Sequence, residues 1–542
     1  MLVKERKEEL EKNTDQPSTI PNGGLTKTKS KNKEVETDKE VETNKKVETN
    51  KKVETDKKVG AKKKKPENED DEDDDLDKPY KTVETLILPI REQDLPVVMR
   101  QLVAMSDRKR KVAIFFSTLS PLGALATRIR LNYMWDIQQH AILLQTIIEA
   151  PPSTGKRCFA EVVRIIIEPT LEAHDMVQRR REQEYKERKS ARAQNEKIGE
   201  APKTTIRCIP PTTSKTVIVR RADMYDRILG APLTFWMWAE ELAQLGDAGK
   251  SGFSNLRTIL RTAYDIGSKY GQDFASENSY SGCADVNICS MFCSTPQDVD
   301  EIYTLKELMG GGASRVMLVS LEDEIGSKPA VFRRLDEGEK NIINIALKMF
   351  MDDTYAPDGS LRDEMLLDTT WLDPHIKAFC AKMAKKAAEL KDAGMKGALS
   401  LDHYYKRASV NAFRSTGLMY YLYQVENRMA REGVEGAIER DEQTIRKHCI
   451  KMYRFIATYC LNSNNKRWGS AYEAGYHKQK EGTKTDKRKP LIEQLTATFT
   501  REQLEELINK NKLDTEARHF LSQWKKKGWI VKIEKNTFQK QI

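Results

Sequence analysis

One stretch in the first third of the chain constrains the fold more than any other. A short apolar run, residues 146–150, leads into the turn Pro151-Pro152-Ser153-Thr154-Gly155-Lys156-Arg157, and the amphipathic run 159–167 follows. Strand, small-residue turn and helix, in this order, are typical of a phosphate-binding loop. In such a loop the backbone N–H groups and the helix N-terminus face the phosphates, while the lysine offsets their negative charge. The stretch therefore predicts an α/β fold with a nucleotide site at this turn.

The match to the pattern G-x-x-x-x-G-K-[ST] is partial. Gly155 and Lys156 are present, but Ala150 stands at the first glycine and Arg157 at the hydroxyl residue that would hold Mg²⁺. The candidate cofactor-binding residues are Ser153, Thr154, Gly155, Lys156 and Arg157. An ordinary strand-to-helix turn with a surface lysine is the alternative interpretation.

Two further apolar runs have the character of buried strands that end in polar residues. Within residues 233–242 the apolar run ends at Glu240 and Glu241. In nucleotide sites with such a pair, one acid holds Mg²⁺ and the next polarises an attacking water. Residues 286–297 end in small polar residues, and in RecA-like ATPases such a strand lies beside the other two. We expect the three strands to be neighbours in one sheet.

A fourth segment combines the glycine turn 310–312 with Arg315 and an apolar run, 316–319. An arginine at this place could reach a phosphate in its own subunit or in a neighbouring one. An ordinary ion pair is the alternative for Arg315.

The ordered series resembles the helicase- or primase-associated RecA-like ATPase domains of bacterial plasmids, prophages and conjugative elements. The resemblance covers about residues 94–460 and includes the Thr213-Ser214 helix start and the helical segment from Arg407 to Arg414. It implies ATP and Mg²⁺ as ligands and DNA as a partner, with a homo-oligomeric ring and a separate primase or replication protein as further possible partners. The roles it implies are the phosphate lysine for Lys156, the metal-site acid for Glu240, the catalytic acid for Glu241, the sensor for Thr295 and the arginine finger for Arg315.

The departure at Arg157 leaves other hypotheses open. An arginine in the place of the metal's hydroxyl ligand fits a nucleotide-binding adaptor or regulator with weak hydrolysis. A DNA-binding protein without a nucleotide site is a third hypothesis. Since only a charged tail precedes the ATPase region, primer synthesis is not expected.

Composition divides the chain into segments. Residues 1–78 contain no aromatic side chain and repeat a hexad with valines at 35, 41, 47, 53 and 59, so we expect a disordered tail, either a solvated tether or a docking arm. The segments expected after it are a helical layer (79–140), the RecA-like core (141–335), a helical lid or collar (336–477), a linker (478–489) and a final module (490–542).

The final module is basic. Residues 478–542 carry 16 Lys and Arg against 9 Asp and Glu, a net charge of +7. Three predicted helices, one of them opened by the capping-box pattern Thr500-Arg-Glu-Gln503, and a hairpin resemble a winged helix. The residues expected near DNA phosphates are Arg518, Lys525, Lys526, Lys527 and Lys532. A winged helix used for protein contacts is the alternative.

Cysteine usage and apolar runs indicate the compartment. The eight cysteines form no C-x-x-C pair, a usage that fits a reducing cytoplasm, and Cys283, Cys289 and Cys293 are expected to be buried thiols. The most apolar stretch, residues 112–129, is too short and too interrupted to span a bilayer, so we expect a buried helix and no membrane contact.

Overall fold

The structure is a computed structural model, and it describes residues 81–191, 199–245, 256–273, 280–322, 326, 331–484, 489–511 and 516–541. The tail predicted for residues 1–78 lies outside the described residues. The strands are β1 (Ile129–Leu131), β2 (His140–Ala141), β3 (Gln145–Glu149), β4 (Cys208–Ile209), β5 (Thr234–Ala239), β6 (Lys269–Gln272), β7 (Gly282–Asp285), β8 (Asn287–Ser294), β9 (Met317–Ser320), β10 (Met365–Leu367), β11 (Thr498–Thr500), β12 (Ile530–Glu534) and β13 (Thr537–Lys540).

Helices account for much of the remaining described chain. They are α1 (Val97–Ala104), α2 (Lys111–Leu125), α3 (Arg157–Ile167), α4 (Ala173–Ala191), α5 (Lys215–Leu229), α6 (Leu256–Thr262), α7 (Pro296–Ile302), α8 (Leu305–Met309), α9 (Glu337–Thr354), α10 (Asp373–Asp392), α11 (Ala398–Arg431), α12 (Glu442–Lys484), α13 (Lys489–Glu493), α14 (Arg501–Lys510) and α15 (Ala517–Lys526).

A five-stranded parallel sheet lies at the centre of the fold. Its strand order is β4-β5-β8-β3-β9, and every neighbouring pair runs parallel. Strand β8, every residue of which is buried, lies between β3 and β5. The prediction of an α/β fold with three adjacent apolar strands is confirmed. Parallel strands place their carboxyl ends at one edge, where open α/β sheets bind ligands.

Helix α2 packs on this sheet and is buried from Val112 to Leu125. A Cβ atom on Gly123 would lie 3.2 Å from the carbonyl oxygen of Ile142, so the absence of a side chain permits a close approach. The prediction of a buried helix is confirmed, and no described helix is long and apolar enough to cross a membrane. The helix expected over residues 112–129 ends earlier, at Leu125, and residues 129–131 form β1, which pairs with the distant strand β10.

The region expected to be a lid or collar shares the core of the sheet. One cluster of buried side chains runs without division from Val83 to Trp468. Helix α12 packs on the edge strand β9, where Ser463 donates to the carbonyl oxygen of Leu318 at 2.6 Å. Helices α11 and α12 are thus a layer of the same core rather than a separate cover.

The last described segments form a module with its own buried cluster, which includes Phe499, Leu504 and Trp524. Helices α13 to α15 accompany an antiparallel sheet with the order β11-β13-β12. The predicted capping box at Thr500 is confirmed, since its hydroxyl accepts from the N–H group of Gln503, whose side chain returns a bond. The predicted linker is shorter than expected, because α12 continues to Lys484 and α13 begins at Lys489.

Candidate functional site

The turn after β3 has strained backbone geometry. Ser153 has a φ of +66° and Gly155 a φ of +82°. Among the described residues Ser153 is the one non-glycine residue with a positive φ. For a residue with a Cβ atom this conformation costs of order 1 kcal/mol or more, and such strain concentrates at ligand-binding turns.

The backbone N–H groups of residues 153–157 are not used inside the described part of the chain. The first N–H groups after the turn that form hydrogen bonds are those of Cys158, to the carbonyl oxygen of Gly155, and Phe159, to that of Lys156. Two side chains hold the turn. The hydroxyl of Thr154 donates to the carbonyl oxygen of Pro151 at 2.8 Å, and Arg110 donates to that of Thr154 at 3.3 Å. Successive unpaired N–H groups at a helix N-terminus form an anion-binding concavity.

Lys156 lies between the carboxyl ends of β3 and β8. Its Nζ donates to the carbonyl oxygens of Ala150, at 3.2 Å, and Ser294, at 3.3 Å. No carboxylate among the described residues is paired with it. The ammonium group is therefore positioned by carbonyl dipoles, and its charge is available to an anion at the turn.

Glu240 and Glu241 follow β5 at the same edge of the sheet. Ala239 lies opposite Phe292 of β8, so Glu240 comes level with Cys293, and the N–H group of Leu242 donates to the carbonyl oxygen of Cys293 at 2.9 Å. Both carboxylates are exposed, and neither is paired with a described residue. Burial raises the pKa of the Cys293 thiol to about 12, while the charge of Lys156 lowers it and that of Glu240 raises it. Both charges thus act on one thiol at this edge.

Thr295 also lies at this edge, directly after β8. Its hydroxyl caps α7 by accepting from the N–H group of Asp298 at 3.2 Å, and the side chain of Asp298 accepts from the N–H group of Thr295. The predicted sensor is therefore close to the turn, but its hydroxyl oxygen already serves the helix.

Arg157 is the first residue of α3 and is exposed. Within the described ranges no group of three or more His, Cys, Asp or Glu side chains is placed to hold a metal ion. A metal at this edge would depend on ligands beyond the protein, as Mg²⁺ commonly does when it binds through one or two carboxylates and phosphate oxygens.

Arg315 lies at the opposite end of the sheet. It precedes β9, whose residue Met317 pairs with Thr146 near the start of β3, whereas the turn follows the end of β3. Arg315 donates to the carboxylate of Asp265 at 2.7 Å. Within this chain the ion-pair interpretation of Arg315 is therefore the observed one, and a role toward a neighbouring subunit stays a prediction.

A buried carboxylate at the end of β3, not predicted from the sequence, joins the site to a distant helix. Glu149 accepts from Arg467 of α12 at 2.8 Å and from the hydroxyl of Ser320 at 2.7 Å. Arg467 also contacts Asp300 and the carbonyl oxygen of Pro296. A glutamate inside an apolar run signals a buried charge that needs a partner, but a partner 318 residues away is not visible in the sequence.

The five basic residues predicted for the final module are exposed. Arg518 is paired with Glu516, and the ammonium group of Lys527 lies 4.7 Å from the ring centroid of Trp529. Lys525 and Lys526 end α15, and Lys532 lies on β12. Arg518 therefore lies near the start of α15, the three lysines at its end, and Lys532 on the strand that follows.

Two cavities lie away from the turn. One, of about 870 Å³, is lined by residues that include His174, Lys348 and Tyr355. Another, of about 260 Å³, is lined by residues that include Trp135 and Arg414. Neither is lined by a residue of the turn. No protein-family model matches the chain, and no curated protein matches its sequence significantly.

Proposed function

We propose that the chain is an ATP-binding, DNA-processing ATPase with a RecA-like core, of the helicase- or primase-associated kind. The observation that carries this proposal is the turn 153–157, where Lys156 and the neighbouring backbone N–H groups have no carboxylate or carbonyl partner, respectively, among the described residues other than the two carbonyl oxygens bound by the Lys156 ammonium group. Backbone strain of this kind clusters at ligand-binding turns, and unpaired N–H groups at a helix N-terminus bind anions.

The arrangement of the strands supports the same proposal. The turn, the acids after β5 and the polar end of β8 are brought to one edge by three adjacent parallel strands. The phosphates of a nucleotide at residues 153–157 would then lie within reach of side chains from all three strand ends.

Each acid has a role in this proposal. Glu240 would hold Mg²⁺, which supplies positive charge to the phosphates when bound. Glu241, exposed and unpaired among the described residues, would orient and polarise the attacking water. Lys156 would hold the terminal phosphate by charge and N–H donation.

A second candidate is a nucleotide-binding adaptor or regulator that hydrolyses ATP weakly. Two observations favour it: an exposed arginine occupies the position of the metal's hydroxyl ligand, and the Thr295 hydroxyl caps a helix. Both remove oxygen ligands that fast hydrolysis commonly uses.

We assign the final module as a winged helix that contacts DNA phosphates. The order of its elements, with α15 followed directly by the hairpin β12–β13, supports this assignment. Its exposed lysines would contribute sequence-independent affinity. We further propose that the chain forms a homo-oligomeric ring and acts with a separate primase or replication protein.

Steady-state ATP turnover, with and without single-stranded DNA, tests the proposal. We expect turnover that DNA stimulates and that Lys156→Ala abolishes in a chain with an unchanged circular dichroism spectrum. Binding of an ATP analogue without turnover in either condition would favour the regulator. Absence of analogue binding in the intact chain would overturn the nucleotide site.

A further inference from the structure

Three arginines converge on one tyrosine at the end of the sheet opposite the turn. The guanidinium groups of Arg315, Arg407 and Arg414 lie 5.8, 5.5 and 4.3 Å from the ring centroid of Tyr264. Arg414 donates to the carbonyl oxygen of Leu143, which precedes β3. Since β3 spans five residues, this arginine cluster lies about 15 Å or more from the turn.

The cluster carries more positive than negative charge. The carboxylate of Asp265 is shared, one oxygen accepting from Arg315 at 2.7 Å and the other from Arg407 at 2.9 Å. Arg414 is almost fully buried, and among the described residues no carboxylate is paired with it. Its partners are two carbonyl oxygens and the ring nitrogen of His140. A buried charge without a counter-charge is costly.

The cluster opens onto the cavity of about 260 Å³. Arg407 and Arg414 line it, and Trp135, half of whose surface is exposed, lines it together with Tyr133. Guanidinium groups bind phosphate oxygens through paired N–H donors, and an exposed tryptophan ring is a surface on which bases stack.

We propose that this cavity binds a phosphate group carried by a nucleotide unit, with the phosphate on Arg407 and Arg414 and the base against Trp135. The source is either a free mononucleotide or one nucleotide of a single strand. The site is separate from the turn 153–157 and does not depend on ATP binding there.

The pKa values of two neighbouring histidines are lowered, first by burial and then by the arginine charges. Burial and then Arg414 lower the pKa of His140 to about 4. Burial and then Arg407 and Arg315 lower the pKa of His403 to about 4. The carboxylates of Asp136 and Asp265, which also line the cavity, offset two of the three arginine charges. An anion in the cavity would supply the missing negative charge.

The test uses the full chain carrying Lys156→Ala, so that the turn contributes no nucleotide binding. Titration calorimetry with dTMP should detect binding that Arg407→Gln weakens about tenfold or more, because a charged donor to the phosphate is lost. Lys406→Gln is the matched control, since it removes the same charge from an adjacent residue that pairs with Asp402 on the surface. We expect it to leave the affinity unchanged.

Two further arms identify the ligand. Trp135→Ala should weaken dTMP binding and leave binding of inorganic phosphate unchanged. A short oligo-dT whose Arg407-dependent affinity exceeds that of dTMP would identify a strand as the source, whereas equal affinities would identify the mononucleotide. The proposal is overturned if no probe binds in an Arg407-dependent manner at millimolar concentration, or if Arg407→Gln and Lys406→Gln have equal effects.

Discussion

At the scale of single residues, the ion pair between Glu149 and Arg467 connects the strand before the turn to helix α12. Glu149 is buried, and its carboxylate is held by Arg467 of α12 and by Ser320. Because Arg467 also reaches Asp300 and the carbonyl oxygen after Thr295, one guanidinium group joins the ends of β3 and β8 to the last long helix. We therefore expect Arg467 to fix the position of the strand end from which the turn begins.

Removal of this guanidinium group should be costly. Arg467→Ala leaves the Glu149 carboxylate buried with one neutral donor, so we expect a loss of about 3 kcal/mol in the free energy of unfolding. The control is Arg446→Ala on the same helix, whose partner Glu442 is half exposed, with an expected loss of about 1 kcal/mol or less. Urea denaturation measures both. Equal losses in the free energy of unfolding would show that the buried Glu149 pair stabilises the fold no more than an exposed pair does.

Glu241→Gln separates nucleotide binding from turnover. The change removes the carboxylate charge and keeps the size of an exposed side chain, so stability should be unaffected. We expect unchanged affinity for ATP and a hundredfold or greater loss of turnover, on the order of what a positioned acid–base group contributes. Turnover by the variant at the rate of the parent would assign the catalytic role to another residue.

His140 should lower the free energy of unfolding at acidic pH. Its pKa is about 4 in the folded chain, because of burial and Arg414, against an ordinary value of 6.5. Between these values the unfolded chain binds a proton that the folded chain does not, so the free energy of unfolding decreases as the pH falls through this window. The difference corresponds to roughly 3 kcal/mol. Urea denaturation at pH 7 and 4.5 should show a smaller pH dependence for His140→Gln, and an unchanged dependence would contradict this assignment.

At the scale of helices and strands, the sequence predicted those features that depend on neighbouring residues in the chain. The buried helix α2 and the cap at Thr500 follow from the apolar run and from turn chemistry. The adjacency of β3, β8 and β5 was expected from the resemblance to RecA-like ATPases. The strand β1 was missed because it is three residues long and owes its conformation to β10, more than 230 residues later in the chain. The partners of Glu149 and Arg315 were hidden for the same reason, since ion pairs across the fold leave no local signal.

Substitution of the lysines at the end of α15 tests whether the final module binds DNA. Replacement of Lys525, Lys526 and Lys527 by alanine should weaken DNA binding for every sequence and reduce the salt slope by about 0.9 for each lost phosphate contact on duplex. The control replaces Lys377, Lys382 and Lys391, exposed residues of α10, and removes the same charge. Fluorescence anisotropy at several salt concentrations measures both. Equal behaviour of the two variants would make the module a protein-binding element.

At the scale of the whole molecule, the described chain has two buried clusters. One joins the sheet to α9–α12, and the other belongs to the final module. Because a shared core unfolds cooperatively, we expect the sheet and the long helices to melt together, and removal of residues 489–542 to leave that transition within about two degrees. Calorimetry of the two chains measures this. A large decrease would show that the final module stabilises the rest.

The central claim is that residues 153–157 bind nucleotide phosphates. The most direct test is calorimetric titration of a non-hydrolysable ATP analogue with Mg²⁺ into the chain and into its Lys156→Ala variant, both carrying Arg407→Gln to remove the second proposed site. The account predicts saturable binding to the first and at least a hundredfold loss in the second, with both equally stable toward urea. Equal affinity in the two chains, or no binding to either, would contradict it.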